Sequence, residues 1–546
     1  MLTRKTKLLI GAAFFTLVLA GCQNSTSSMK GMDHSKMNMS ENTNTTKTMT
    51  SAKIETLTGK EINLTAKASN LEVEPGKILP VWTYNNSVPG PQIRVKQGET
   101  VKVNLKNELS VPVSIHWHGV PVPNAMDGIP GMTQDAVQPG KSFTYEFKAD
   151  VPGTYWYHSH QDSVNQVDRG LYGSFIVEPK NDKVDKDYTL VLDEWMSSGN
   201  MGSMDMGNTK NGNMDMSNMD HSKMNMDSKS SNDNKSTDTK GTAKPKEQSS
   251  MNMAMGDDMS MYDLYTINGK TGQATDKMPV KKGDKVRIRL INAGFISHKM
   301  HLHGQEFKVT ATDGQPINNP QTLKDTLISI APGERYDIEF EANNPGQWYL
   351  EEHGNEPRIN GMKTVIQYEG ENSMTDKSDD SATLPIFNLA NYGTPTKSAF
   401  TLDQKFDIEK TMVLNTEQKD GNTVYTINGQ TYPNIPPITV KKDDTVKVTF
   451  VNQSKTEDHP MHLHGHFFQV LSKNGQPIQG SPIIKDTLNV KPGETYVVAF
   501  KADNPGDWMF HCHDLHHASM GMVTDLQYSD YKSNYKPDPK AGNKPE

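Results

Sequence analysis

The chain has 546 residues, enough for about three domains of ordinary size. Its hydrophobic content of 34% and mean hydropathy of -0.70 are low for a globular protein and predict a long polar segment within it. The net charge of -8 argues against a nucleic-acid-binding protein, because general binding to a polyanion needs a basic surface.

The first 22 residues are predicted to be an export signal. Three basic residues precede an apolar run at 8–20 that is too short to span a bilayer. The run ends in Leu-Ala-Gly-Cys, which resembles the lipobox of bacterial lipoproteins, whose cysteine is lipidated. The sequence therefore predicts an exported protein with a lipid anchor at Cys22, held on the outer side of the bacterial cytoplasmic membrane, at the cell surface or in the periplasm. Ordinary secretion with an incidental cysteine is the alternative.

The chain has only two cysteines, Cys22 and Cys512. If the first carries lipid, no disulfide forms and Cys512 is the one thiol left for chemistry. An exported protein that keeps an unpaired cysteine between two histidines is predicted to use it as a metal ligand. Residues 23–54, between the signal and the first repeat, are polar and are predicted to be a flexible tether.

The rest of the chain repeats one pattern three times. Each copy has a short strand pair, a His-x-His-Gly segment, and a Pro-Gly turn leading into an aromatic strand. The short alternating strands, separated by Gly, Pro, Asn and Asp, indicate antiparallel β-sandwiches. The predicted domains are 55–180, 181–375 and 376–535, followed by a polar tail at 536–546.

A methionine-rich segment, residues 196–261, interrupts the second copy. It holds 14 of the 31 methionines but no Leu, Ile, Val or Phe, so these methionines do not serve a core and the segment is predicted to be disordered. The string Asp-His-Ser-Lys-Met-Asn-Met occurs at 33–39 and again at 220–226. Its thioether and imidazole donors suit extra Cu(I) or Ag(I). A low-complexity linker that binds no metal is the alternative.

The aromatic strand of the third copy carries the most specific chemistry. Because side chains alternate along a strand, His511 and His513 are expected on one face and Cys512 on the other. His517 and Met522 follow within reach of a loop, and His459 adds an imidazole from upstream. Two histidines, a thiolate and a weak axial methionine make the ligand set of a blue-copper electron-transfer site.

Four His-x-His pairs in the first and third copies supply eight imidazoles. That number exceeds what one metal ion can use, so it predicts a cluster. A single pair is weak evidence and is typical of structural or simple zinc sites, whereas four in register, one around the free thiol, are specific. The pairs are His116/His118, His158/His160, His462/His464 and His511/His513.

These motifs resemble the four copper motifs of the multicopper oxidases, which include laccases and bacterial cuprous oxidases. The resemblance covers nearly all of residues 75–525. It implies an all-β chain of three cupredoxin-like Greek-key β-sandwiches, and four copper ions. Position by position, it implies a type 1 copper on His459, Cys512, His517 and Met522, a type 2 copper on His116 and His462, and a type 3 pair on His118, His158 and His513 and on His160, His464 and His511.

The resemblance also implies the reaction. A donor gives electrons one at a time to the type 1 copper, and Cys512 passes them through His511 and His513 to the cluster, where O2 is reduced to water. This reduction consumes protons. Several bacterial relatives have an acidic residue directly after the position of His517, where this chain has Ala518. Asp127 is predicted to take over the proton relay, and a turn-forming Asp-Gly is the alternative.

The second copy departs from this pattern. Glu352 stands where the thiolate would be and Pro357 where the following ligand histidine would be. The copy is therefore predicted to be a scaffold that has lost its type 1 site. An auxiliary copper site is the alternative, built from the surviving His298, His301, His303 and His353.

The electron donor is predicted from the methionine-rich segments and the lipid anchor. Both favour Cu(I), whose oxidation outside the cell would be copper detoxification. A laccase acting on phenols or aromatic amines is the competing enzyme. A copper-sequestering surface lipoprotein is the alternative of another class. A monomer is predicted, since three domains in one chain already build the cluster.

Overall fold

The computed structural model describes residues 49–50, 53–197, 261–354, 361–376, 383–419 and 421–546. The predicted export signal, nearly all of the predicted tether, and residues 198–260 of the predicted insert lie outside these residues. The described residues form six β-sheets in three facing pairs, with two short α-helices. Within them, no helix is long and apolar enough to cross a membrane.

The first β-sandwich contains nine strands and one helix. They are β1 (Thr56–Thr58), β2 (Glu61–Glu74), β3 (Lys77–Tyr84), β4 (Gly90–Lys96), β5 (Thr100–Asn107), β6 (His116–His118), β7 (Ser142–Lys148), β8 (Gly153–His158), α1 (Ser163–Asp168) and β9 (Tyr172–Glu178). A sheet of order β3-β2-β5-β7 faces one of order β1-β4-β9-β8-β6. Alternate residues of β5, such as Val101 and Val103, are fully buried between the sheets, as the period of two in a strand requires.

The second β-sandwich contains eleven strands. They are β10 (Lys186–Trp195), β11 (Leu264–Ile267), β12 (Met278–Val280), β13 (Lys285–Asn292), β14 (His298–Leu302), β15 (Lys308–Thr312), β16 (Gln315–Pro316), β17 (Leu327–Ile330), β18 (Arg335–Glu341), β19 (Gln347–Glu352) and β20 (Lys363–Tyr368). The sheet orders are β11-β10-β13-β18-β15-β16 and β12-β20-β19-β14-β17.

The third β-sandwich contains twelve strands and the second helix. They are β21 (Ile408–Lys419), β22 (Asn422–Ile427), β23 (Ile438–Val440), β24 (Thr445–Asn452), β25 (His459–Leu463), β26 (Phe468–Lys473), β27 (Gln476–Pro477), β28 (Ile483–Lys485), β29 (Thr487–Val490), β30 (Thr495–Lys501), β31 (Asp507–Cys512), α2 (Leu515–Ser519) and β32 (Val523–Tyr528). Its sheets, β22-β21-β24-β30-β26-β27 and β23-β32-β31-β25-β29, repeat those of the second sandwich strand for strand, with β28 added on β26. The all-β fold of three sandwiches is confirmed.

The methionine-rich insert lies between two paired antiparallel strands, β10 and β11. Trp195 at the end of β10 pairs with Leu264 at the start of β11. Met196 is buried beside this pair, and the backbone N–H of Ser197 donates to Asp263 Oδ1 at 2.7 Å. Met261 packs on the same apolar cluster. The borders of the predicted insert, residues 196, 197 and 261, therefore belong to the folded part of the chain.

A buried arginine ties the three sandwiches together. Arg335 on β18 donates from Nη1 and Nη2 to the two carboxylate oxygens of Asp486, at 2.7 and 2.6 Å, and from Nε to the carbonyl of Thr154 on β8, at 3.1 Å. Both charged side chains are 0% exposed. The glycine after His118 makes room for this pair. A Cβ on Gly119, whose φ is +79°, would lie 2.4 Å from Asp486 Oδ2 and 2.5 Å from Arg335 Nη2.

We expect Arg335→Leu to lower the free energy of unfolding by about 3–5 kcal/mol, because it leaves the Asp486 carboxylate buried without its counter-charge. Urea denaturation of the purified variant measures this. Lys102→Gln, which removes an exposed ion pair with Glu146, is the control and should cost less than about 1 kcal/mol. Equal effects of the two substitutions would contradict the role of the buried pair.

Candidate metal centres

Cys512, at the end of β31, lies buried beside two imidazoles. Its Sγ is 3.6 Å from His517 Nδ1 and 3.9 Å from His459 Nδ1, and the two Nδ1 atoms are 3.3 Å apart. His459 begins β25, next to β31 in the sheet, and His517 lies in α2, directly after the strand. Met522 is fully buried in the same core cluster as Cys512. The thiol and the two imidazoles are close enough to bind one metal ion.

The outer nitrogens of these two imidazoles are also held. His459 Nε2 is 2.7 Å from Ser454 Oγ, and His517 Nε2 is 3.4 Å from Asp514 Oδ2. Burial lowers the pKa of His517 to about 3 and that of His459 well below its ordinary value, so both are neutral donors. Burial raises the pKa of the Cys512 thiol, which a coordinating metal ion would deprotonate.

The strand that carries Cys512 also reaches a second group of histidines. Met461 pairs with Cys512 across β25 and β31, and His462 pairs with His511 one residue along. Successive side chains point to opposite faces, so the thiol faces the core of the sandwich and the imidazoles face outward. Cys512 is thus bonded through the backbone to His511 and His513, which belong to the second group of ligands.

Eight buried histidines meet between the first and third sandwiches. In the first, His116 on β6 pairs directly with His158 on β8. Two ring pairs stack between the sandwiches, His118 on His462 with centroids 3.8 Å apart and His116 on His464 at 3.9 Å. None of the eight is more than 2% exposed: His116, His118, His158, His160, His462, His464, His511 and His513.

Most of these rings are anchored through one nitrogen. Nδ1 of His116, His158, His462 and His511 donates to a backbone carbonyl at 2.9–3.0 Å. His118 is turned the other way, because its Nε2 donates to Asp486 Oδ1 at 3.2 Å and lies 3.0 Å from Thr487 Oγ1. Such hydrogen bonds fix the tautomer and aim the other nitrogen.

The nitrogens left over are buried and have no hydrogen-bond partner. They are Nε2 of His116, His158, His160 and His462, Nδ1 of His118, and both nitrogens of His513. Unpaired buried polar atoms cost stability, so metal ions would complete this arrangement. Burial lowers the pKa of His118, His158 and His513 well below the ordinary value, which keeps these rings neutral as metal binding requires.

Three all-histidine sets of donor atoms in this cluster are close enough to bind a metal ion: His116/His118/His462, His118/His158/His513 and His160/His464/His511. The last two are the predicted type 3 sets, and the first contains the predicted type 2 pair. The structure therefore brings together all eleven predicted histidine and cysteine ligands. The copper type served by each set stays a prediction.

Asp127 lies beside two cluster histidines and is 1% exposed. Its Oδ2 accepts from His464 Nδ1 at 3.0 Å, and its Oδ1 is 3.2 Å from His116 Nδ1. The residue follows a short 3-10 helix, Asn124–Met126, that packs next to β7. The predicted relay residue is thus in contact with the cluster, and its role in proton transfer stays a prediction.

Two carboxylates near the cluster were not predicted. Asp486 orients histidines of both outer sandwiches. A signal for it exists, because Lys-Asp-Thr-Leu occurs at 324–327 and again at 485–488, in the second and third repeats. Glu546 comes from the predicted polar tail, and its Oε1 is 3.4 Å from His511 Nδ1 and 3.6 Å from His160 Nε2. Burial raises the pKa of Glu546 to about 8. The composition of the tail gives no hint of this contact.

The second sandwich has no thiol at the position of Cys512. Glu352 stands there and lies 3.8 Å, Oε2 to Nδ1, from His298, whose Nε2 is 3.2 Å from Glu194 Oε2. This face of the sandwich therefore carries an ion-pair network in place of a blue-copper ligand set. Pro357 lies outside the described residues.

Three β-sandwiches with a Cys-His site joined through one strand to an eight-histidine cluster define a copper-dependent oxidase. Family models described as multicopper oxidase match residues 65–182, 186–372 and 400–532. The chain belongs to the multicopper oxidase family. It is an oxidoreductase that uses O2 and binds four copper ions.

Individual relatives agree with this assignment. Multicopper oxidase MmcO of Mycobacterium tuberculosis is 31% identical over 83% of this chain and 84% of that protein. Copper resistance protein A of Escherichia coli is 23% identical over 86% of this chain and 93% of that protein. The crystal structure of a multicopper oxidase from Pseudomonas thermotolerans has a TM-score of 0.60 at 26% identity, covering 87% of this chain and all (100%) of that one.

The buried histidines predict that the copper-free protein loses stability in mild acid. Burial lowers the pKa of His160 and His517 to about 3, from an ordinary value of 6.5. Below pH 6.5 the unfolded chain therefore binds protons that the fold excludes, and each such group costs about 1.4 kcal/mol per pH unit.

We expect the urea midpoint of the copper-free protein to fall steeply from about pH 7 to about pH 5, where this proton uptake accumulates. The copper-loaded protein should change less over this range, because copper competes with protons for the same nitrogens. A midpoint that is equally flat in both forms would contradict the neutral state of the rings.

Proposed function

We propose that this multicopper oxidase oxidises Cu(I) to Cu(II), with O2 as electron acceptor, in copper detoxification. The observation that carries the proposal is the position of the folded residues at the C-terminal border of the methionine-rich insert. The structure describes the chain again from Met261, and the hydroxyl of the next residue, Tyr262, lies 3.2 Å from His516 Nε2. His516 is the neighbour of His517, one of the two imidazoles beside Cys512. The chain therefore enters the second sandwich from the insert beside α2, the helix that carries His517.

The chemistry of the insert supports the same donor. Thioethers bind Cu(I) in preference to harder cations, and a tethered ligand raises the local concentration of its ion. Phenols gain nothing from such a segment. The similarity to a protein named for copper resistance points in the same direction.

We further propose that the ligands have the roles that the sequence predicts. His459, Cys512, His517 and Met522 hold the type 1 copper, His116 and His462 the type 2 copper, and the two sets of three, His118/His158/His513 and His160/His464/His511, the type 3 pair. When bound, the copper ions supply one-electron redox chemistry and the place where O2 is reduced. The chain contributes neutral, preoriented donors and the direct link from Cys512 to its neighbours His511 and His513.

Asp127 is proposed to hold and deliver a proton at the cluster. Its Oδ2 accepts from His464, its Oδ1 lies near His116 without a hydrogen-bond partner, and the side chain is shielded from solvent. A carboxyl group in this place can protonate reduced oxygen without opening the site to bulk water. It also fixes the tautomer of His464.

The donor is tested with a variant that lacks residues 198–260. A short Gly-Ser linker from Ser197 to Met261 closes the gap, because Trp195 and Leu264 are already paired across the hairpin. We expect kcat/KM for Cu(I) to fall by about tenfold or more, since the tethered ligands are lost. Oxidation of a phenol should be unchanged, as measured by steady-state O2 uptake.

Cys512→Ser is the control for this experiment. It should abolish the intense blue absorption and O2 uptake with either donor. If the deletion spares Cu(I) oxidation and phenol turnover dominates in the full-length protein, the protein is a laccase. If Cys512→Ser changes neither colour nor O2 uptake, the proposed type 1 site is wrong.

Asp127→Asn should slow O2 consumption by about a hundredfold, because the amide keeps the shape of the carboxylate but cannot supply a proton. The pH–rate profile should shift to lower pH, where solvent protons replace the lost donor. Asp150→Asn, at an exposed aspartate of the same sandwich, is the matched control. A normal rate with an unchanged pH profile would leave Asp127 only a positioning role.

A further inference from the structure

The second sandwich contains a group of histidines and carboxylates that the proposed copper centres do not use. His301 lies near the end of β14, before Leu302, and His303 follows the strand directly. Glu351 lies near the end of β19, and His353 follows that strand directly. Asp376 reaches the same place from beyond β20. His301 and His303 are buried, at 6% and 7% exposed, and His353 lies half-buried at the rim.

The strand register repeats that of the copper cluster. His301 pairs with Glu351 across β14 and β19, as His462 pairs with His511 in the third sandwich. His303 and His353 occupy the positions of His464 and His513. The second sandwich therefore keeps the whole half-site, with one imidazole replaced by a carboxylate.

The three rings lie as near to one another as the rings of a predicted copper set do, to within about 1 Å. Ring centroids are 3.9 Å apart for His301 and His303, 5.3 Å for His301 and His353, and 6.2 Å for His303 and His353. In the predicted copper set His118/His158/His513 the three separations are 4.7, 5.4 and 5.8 Å. His303 Nε2 lies 3.2 Å from Glu351 Oε1.

The hydrogen bonding leaves donor atoms free. Neither ring nitrogen of His301 has a hydrogen-bond partner, although both are buried. Burial lowers the pKa of His301 to about 3, helped by His303 and His353, so its ring is neutral. Asp376 Oδ2 is 3.0 Å from His303 Nδ1 and also accepts from the backbone N–H of Tyr349 at 3.2 Å. A carboxylate that holds the outer nitrogen of a histidine is the usual support of a metal ligand.

We propose that this group binds one divalent cation of borderline softness, Cu²⁺ or Zn²⁺, through His301, His303, His353 and Glu351, with Asp376 orienting His303. Imidazole and carboxylate donors without sulfur suit these ions. To bind the ion together with His301 and His303, the side chains of His353 and Glu351 would turn toward it. The site is independent of the identity of the electron donor.

The test starts from full-length protein already loaded with copper. Equilibrium dialysis against Zn²⁺, and separately against Cu²⁺, with metal analysis gives the uptake beyond the resident ions. We expect the double variant His301→Gln/His303→Gln to bind the additional ion at least about a hundredfold more weakly than the unsubstituted protein. Glu351→Gln should weaken binding by about tenfold, and Cu²⁺ should bind more tightly than Zn²⁺.

His298→Gln is the matched control, because His298 lies on the same strand but on the opposite face, against Glu194. It should leave the uptake of the additional ion unchanged. An unchanged blue absorption shows that each variant is folded. Equal uptake by the double variant and the unsubstituted protein, or the same loss in His298→Gln, would overturn the proposed site.

Discussion

The bond between Arg335 and Asp486 is the interaction on which the cluster depends. Burial would raise the pKa of Asp486, but the Arg335 guanidinium holds it well below its usual range, so the carboxylate stays charged. The same residue accepts from His118 and, through its backbone carbonyl, from His462. A buried ion pair adds little net stability over an apolar pair of the same size. Its role here is to fix the register: the Arg335–Asp486 pair links all three sandwiches, and Asp486 orients two rings, His118 through its carboxylate and His462 through its backbone carbonyl.

The second sandwich, which has no thiol at the position of Cys512, has a structural role in this arrangement. The second sandwich contributes Arg335, and it also contributes Gly333, which packs on the cluster itself. A Cβ at Gly333, whose φ is +80°, would lie 2.8 Å from Cγ of His513 and 3.1 Å from Cε1 of His118. The eight histidines come from the outer sandwiches, and the middle one covers them. The prediction of a scaffold thus has a physical basis in contacts with the ligands.

The structural features that depend on local periodicity can be predicted from the sequence. Alternation along one strand places Cys512 and His511 on opposite faces, and the three repeats place the His-x-His pairs in register. Contacts between distant segments leave no such pattern. The carboxylate of Glu546 approaches His160 from 386 positions further along the chain, and no composition rule links them. The limits of the insert shift by one or two residues for the same reason, because Met196 is buried by neighbours that hydropathy alone does not identify.

The second repeat shows that the two faces of the ligand strand can change separately. On the core side, Glu352 has replaced the thiol, and a carboxylate can balance the charge of His298 but cannot serve as a soft donor. On the outer side, His301 and His303 have kept the spacing of their counterparts in the third sandwich. Alternation makes this independence possible, since neighbouring residues share a backbone but not an environment. The absence of a thiol on the core side therefore rules out a blue site there, and it leaves the proposed metal ligands on the outer side in place.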